Sequence, residues 1–147
     1  MEKTIALMKS WVVYAIISMV FAGLTSVIAK MGLSGISGEL GLAIRTCFVF
    51  ALVLGFAFVV VPVQQLATVT RENLFWLGIS GVTTSLSWIF YYRALKDGQV
   101  STIALIDKGS MIIAVVCAYF ILKEQITWRT ILGGSLMLSG LLVIAKR

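Results

Sequence analysis

IALIDKGSMIIAVV, residues Ile103–Val116, sets an aspartate beside a lysine between two apolar flanks. Read as a loop, Asp107 and Lys108 separate two short buried segments. Read as part of a helix, they are ionic groups inside a run, residues 100–122, long enough to cross a bilayer. The rest of the chain decides between the two. Its 147 residues are 60% hydrophobic and 12% charged, with a mean hydropathy of +1.04. Long apolar blocks recur from end to end, separated by short polar or glycine-containing breaks. That balance suits lipid, so the DK stretch reads as a polar insertion within a membrane span.

Five blocks, at about residues 11–29, 40–61, 74–92, 100–122 and 128–145, are each apolar enough to span. At a rise of about 1.5 Å per residue each approaches the roughly 30 Å of a hydrocarbon core. The chain reads as one domain over residues 1–147, an all-α polytopic membrane protein with five transmembrane helices. Isolated strands would leave backbone groups unpaired in lipid, and no series of alternating barrel segments is present. Pro62, the only proline, falls just after the second block, where a missing backbone donor is tolerated. KMGLSGISGE, residues 30–39, carries Gly32, Gly35 and Gly38 at a reversal. The first block is longer than a secretory apolar core and closes on no small-residue cleavage pattern, so it is expected to remain as a helix.

Several function classes fall away. Histidine is absent, which removes His-containing zinc sites and the Ser-His-Asp triad, and no glycine pattern matches a phosphate or dinucleotide loop. No enzyme, metal or cofactor is expected. The net charge of +6 is spread over termini and short connections without a nucleic-acid-binding module. Cys47 and Cys117 both fall inside spans and read as two buried thiols. With five spans, Lys3, Lys9, Arg71, Lys123 and Arg129 lie on one side, and Lys30, Arg93, Lys96, Lys146 and Arg147 on the other. Five against five gives no orientation preference, which fits insertion in both directions and pairing of opposed copies.

Within the spans, polar residues are the candidates for chemistry. Spans two and four enter from one expected side, so Arg45 and the Asp107–Lys108 pair fall at similar depth, with Arg93 at the matching end of span three. Together they make a polar vestibule. Asp107 is a proton-sensitive switch, an acceptor for a cationic substrate, or a fixed partner that holds helices together; Lys108 or Arg45 is suited to an anionic group. Ser85, Trp88 and Tyr92 recur at helical spacing and form a stripe able to stack against and hydrogen-bond an organic solute, while Tyr92 also fits an interfacial anchor. Gly78 and Gly81 on span three, and Gly133, Gly134, Ser135, Ser139 and Gly140 on span five, read as small faces for close helix packing.

AIRTCFVFALVL around Arg45, GVTTSLSWIFYYRALKDGQVSTIALIDKGSMI across spans three and four, and FILKEQITWRTILGGSLMLSGLLVI toward the end together resemble the EamA domain of the drug/metabolite transporter superfamily. The resemblance implies one half of an inverted-repeat transporter in a bacterial or archaeal cytoplasmic membrane. It further implies that two opposed halves, here an antiparallel homodimer, alternate access for a small organic metabolite or amphiphile, with proton coupling as an option. Arg45, Trp88, Tyr92, Asp107 and Lys108 occupy matching places, and Glu124 matches an acid that organises the end of the fourth helix. The fourth span carries DK followed by Ser110 where two-half members commonly carry proline. The small multidrug resistance proteins are similar in size, but they have four helices and an acid in the first, which this chain lacks. A different class, a membrane assembly or regulatory subunit, fits the same paired charges and small helix faces.

Overall fold

The computed structural model describes residues 2–145, with side chains over residues 11–144. Lys146 and Arg147, and the side chains of Lys3 and Lys9, all used in the charge count, lie outside the described residues. Six α-helices follow in order: α1 Glu2–Gly32, α2 Gly38–Val60, α3 Arg71–Asp97, α4 Val100–Asp107, α5 Ser110–Ile121 and α6 Trp128–Ala145, with a 3₁₀ turn at Val63–Thr68. Among the described residues there is no strand. Four stretches are long and apolar enough to cross a membrane: Trp11–Gly32, Gly38–Val60, Arg71–Asp97 and Val100–Ile121. Trp128–Ile144 is a shorter apolar helix.

Contacts divide the chain into two compact units, Ala29–Asp97 and the described parts of Met1–Ile28 with Gly98–Arg147. In the first, α1 ends in a tightened turn: the Leu33 N–H donates to Lys30 at 3.2 Å and Ser34 to Met31 at 3.4 Å. Gly35 then takes φ +75°, a left-handed conformation that side chains other than glycine disfavour. Ser37 caps α2, its hydroxyl accepting the Leu40 N–H at 3.2 Å, and Glu39 places an acid in the first turn, where the helix dipole favours it. Pro62 follows the end of α2, and the Thr70 hydroxyl accepts the Asn73 N–H at 3.2 Å to open α3.

Helices α2 and α3 pack against each other. Their contacts run in opposite directions, from Gly38 against Tyr92 to Arg45 against Trp88, so the pair is antiparallel. Close approach begins at Gly38: a Cβ built there would stand 2.8 Å from the Tyr92 carbonyl oxygen and 3.1 Å from its carbon. Leu33, Tyr92 and Leu95 are the buried hydrophobic residues among those described, and all belong to this unit. Most other large apolar side chains face outward, Phe58 and Val59 at 85% and 86% exposure. Such a surface needs lipid or another protein against it.

In the second unit α4 and α5 pack on α6. The fourth apolar block is two helices, not one. Its hydrogen bonds tighten at the DK step, with the Gly109 N–H donating to Ile106 at 2.9 Å and Met111 to Lys108 at 3.1 Å, the three-residue spacing of a 3₁₀ turn. Leu141 of α6 lies close to this turn, and a Cβ on Gly109 would meet its Cδ1 at 3.2 Å. A cleft of about 330 Å³ runs between α5 and α6, lined by Met111, Val115, Thr130, Gly134 and Leu138 among others. Beyond α5 the Glu124 N–H reaches back to the Ala118 carbonyl at 3.2 Å, so Glu124 takes part in closing this helix through its backbone.

Two expectations need correction. Helix α3 starts three residues before its apolar block and ends five after it, because hydropathy marks the lipid-facing length while charged ends extend the hydrogen-bonded helix. Cys47 and Cys117 are exposed on the chain's own surface and unbridged, since few helix faces in this chain are covered by another. Within this chain a Cβ at Gly78, Gly81, Gly133, Gly134 or Gly140 would meet nothing within 4 Å, so these small faces stand open, whereas Gly38, Gly41 and Gly109 are closely approached. Ser135 and Ser139 donate their hydroxyls to Ile131 and Ser135 carbonyls of their own helix.

Gly38→Ala is expected to destabilise the protein by about 1–3 kcal/mol, because the Tyr92 backbone cannot yield as a side chain can. Gly78→Ala should leave stability unchanged or raise it by up to about 1 kcal/mol through helix propensity. Thermal unfolding of both variants in detergent micelles checks the contrast.

Candidate functional site

The unit Ala29–Asp97 brings three of the sequence candidates together. Trp88 and Tyr92, four residues apart, stand one above the other on α3, and Arg45 of α2 reaches across to both. The guanidinium carbon lies 4.3 Å from the Trp88 ring centre and 5.8 Å from that of Tyr92. Tyr92 is buried at 4% exposure, with Tyr91 edge-on at 6.3 Å between ring centres, so it packs inside the unit and is no interfacial anchor. Arg45 sits seven residues into α2, about 10 Å along the helix.

A cation at that depth has to be compensated. Insertion scales place the cost of arginine at a bilayer centre at about 2.5–3.5 kcal/mol, and a desolvated cation–π contact returns about 2 kcal/mol. The rings therefore offset much of the burden. They do not complete the hydrogen bonding: Arg45 Nη1 is buried and has no partner among the described residues, a condition that costs about 1–3 kcal/mol. Neither ion pair found among the described residues includes Arg45.

Around the cluster the other cations are committed. Arg93 Nε donates to Glu39 Oε1 at 2.7 Å, a salt bridge whose side chains are both more than half exposed. Lys30 Nζ donates to the carbonyls of Leu95 at 2.6 Å and Lys96 at 2.9 Å, while Lys96 Nζ donates to the Leu33 carbonyl at 3.1 Å. Each lysine satisfies carbonyls at the end of the other's helix, where the dipole favours a cation. Sequence reading treated Lys30 and Lys96 as loop charges and passed over Glu39. Their positions in last and first helical turns were the available signal.

The remaining candidates lie elsewhere. Ser85 is exposed one turn from Trp88, and its hydroxyl donates to the Gly81 carbonyl at 2.9 Å, so its proton is used within α3. Asp107 and Lys108 belong to the other unit, at the break between α4 and α5. Their charged groups approach to 3.8 Å at 39% and 48% exposure, a loose pair between sequence neighbours.

Helices long and apolar enough to span, with a cation held on aromatic rings between two of them, fit a polytopic integral membrane protein. The chain belongs to the EamA-like transporter family, whose model matches residues 9–146. It is similar to an uncharacterized transporter in the cobO 3′ region of Sinorhizobium sp, at 29% identity over 137 residues, which are 93% of this chain and 97% of that one. No solved structure matches the chain. Family and relative alike place this protein among membrane transporters.

A double-mutant cycle of Glu39→Gln and Arg93→Gln should return a coupling of about 0–1 kcal/mol, as for exposed pairs generally. Lys30→Met, which strips a charged donor from two carbonyls, should cost more, about 1–3 kcal/mol. Chemical denaturation in a fixed detergent would rank the two.

Proposed function

We propose that the protein carries a small organic metabolite or amphiphile across a bacterial or archaeal cytoplasmic membrane, working as an antiparallel homodimer by alternating access. The observation that carries this reading is Arg45 held 4.3 Å over Trp88, with Nη1 left without a hydrogen-bond partner. A charge kept inside a span without an acid to neutralise it is poorly explained by helix packing alone and well explained by a site that receives a solute. Trp88 and Tyr92 form the stacking wall of that site, and Asp107, at the break in the fourth span, is the coupling acid.

Two observations support pairing of opposed copies. The loop cations divide evenly between the two sides expected from five spans, and the outward apolar faces are extensive. Helix α6 serves as the fifth span: its 18 residues reach about 27 Å, within the range that a bilayer accommodates by local thinning.

Purified protein in liposomes should exchange labelled organic solutes, and tags on either terminus should be found on both membrane faces. Trp88→Ala is expected to weaken apparent solute affinity by at least about tenfold, the scale of a lost stacking contact of about 1.5 kcal/mol. Asp107→Asn should flatten the pH dependence of exchange. A single orientation would remove the opposed homodimer, and an unaltered pH profile would remove Asp107 as the coupling group. Inactivity of the purified chain that is relieved by a second membrane protein would favour an assembly subunit.

A further inference from the structure

Resting on the transport reading of the same site, we propose that the solute is an organic acid, its carboxylate or phosphate oxygen received by the Arg45 guanidinium and its body laid against Trp88 and Tyr92. The geometry selects the sign of the charge. Arg45 Nη1 is a buried donor without an acceptor among the described residues, and the residue as a whole remains part-exposed, so an incoming oxygen reaches Nη1 once that side chain turns toward its open side. Two rings fix the guanidinium in orientation, 4.3 Å and 5.8 Å from its carbon, which preorganises a planar fork for a two-oxygen acceptor. Lysine could not use that arrangement equally, since its ammonium is a point charge without a stacking plane.

The surroundings act in the same direction. The charged residues at this end of the unit are Lys30, Arg45, Arg93 and Lys96 against Glu39 and Asp97, four cations to two acids. Glu39 is held by Arg93 at 2.7 Å, so its charge is partly neutralised toward an approaching ligand. Lys30 and Lys96 place their ammonium groups on backbone carbonyls at the same end of the unit. An anion is attracted to such a site before contact, and a cation is repelled. For an amine the aromatic wall is already taken, because the guanidinium covers the ring face that would have received it.

The test uses the whole protein in nanodiscs of zwitterionic lipid and reads the Trp88 emission, taken as the difference between wild type and Trp88→Phe. The probes are benzoate and phenyl phosphate against benzamide and benzylammonium, four compounds with one ring and different charge. The acids are expected to change the signal at concentrations at least about tenfold below the amide and the amine, as a charge-assisted hydrogen bond implies. Arg45→Gln should abolish the preference, and Arg45→Lys should retain only part of it. Equal or better binding of benzylammonium or benzamide, or no response to either acid through the millimolar range, would overturn the proposal. The comparison among ligands stands on wild-type protein even where a variant fails to fold. Doping the nanodiscs with phosphatidylglycerol separates the two sources of anionic oxygen: an unchanged benzoate response supports a soluble acid, and competitive loss shows that lipid phosphate occupies the site instead. Transport and site fail separately. Acid binding without solute exchange in liposomes would remove the transport cycle and leave the anion site, whereas exchange of amines without any acid response would do the reverse.

Discussion

Lys30 and Lys96 each donate from the end of one helix to the terminal carbonyls of another, at 2.6–3.1 Å, and the unit around α2 and α3 depends on that exchange. A helix end leaves four carbonyls without intrahelical partners, and the two lysines meet three carbonyls at such ends. Cations on flexible stems solve the problem at both ends at once. With the ends of α1 and α3 tied together, Leu33 and Leu95 are buried beside the tie, and Gly38 is set close against the Tyr92 backbone. From that contact the two helices diverge little enough for Arg45, two turns further on, to meet Trp88.

The placement of Arg45 shows how a charge can be held in a span without a carboxylate. Pairing it with an acid would neutralise it and remove most of its capacity to bind anything else. Aromatic faces stabilise the cation by a smaller amount and leave Nη1 without a hydrogen-bond partner among the described residues. The exposed Arg93–Glu39 bridge contributes little energy but keeps Glu39 occupied.

Much of the fold was legible because a bilayer imposes length and composition on whatever crosses it. Block positions, the all-helical class, the Pro62 stop and the reversal at residues 30–39 all came from that constraint and from backbone chemistry. Trp88 and Tyr92 were legible together, as a stripe at helical spacing with Ser85, and Arg45 as a charge inside another span, but not the contact between them. The break at Lys108 and Gly109 was not, since a 3₁₀ turn changes hydrogen-bond spacing without changing hydropathy. Spacing shows where a helix is smooth, and only a neighbour shows whether the smoothness is used, as at Gly38 and Gly109.

The sequence by itself determined that this protein is built of apolar helices with a few charges kept inside them, because burial of backbone polar groups in lipid allows little else. What the tertiary structure decided was the partner of each charge. Arg93 went to Glu39, Lys30 and Lys96 to backbone carbonyls, and Arg45 to two rings. Those choices turn on distances of a few ångströms between residues some 40 to 65 positions apart, set by how antiparallel helices align, and no local pattern in the chain encodes that alignment.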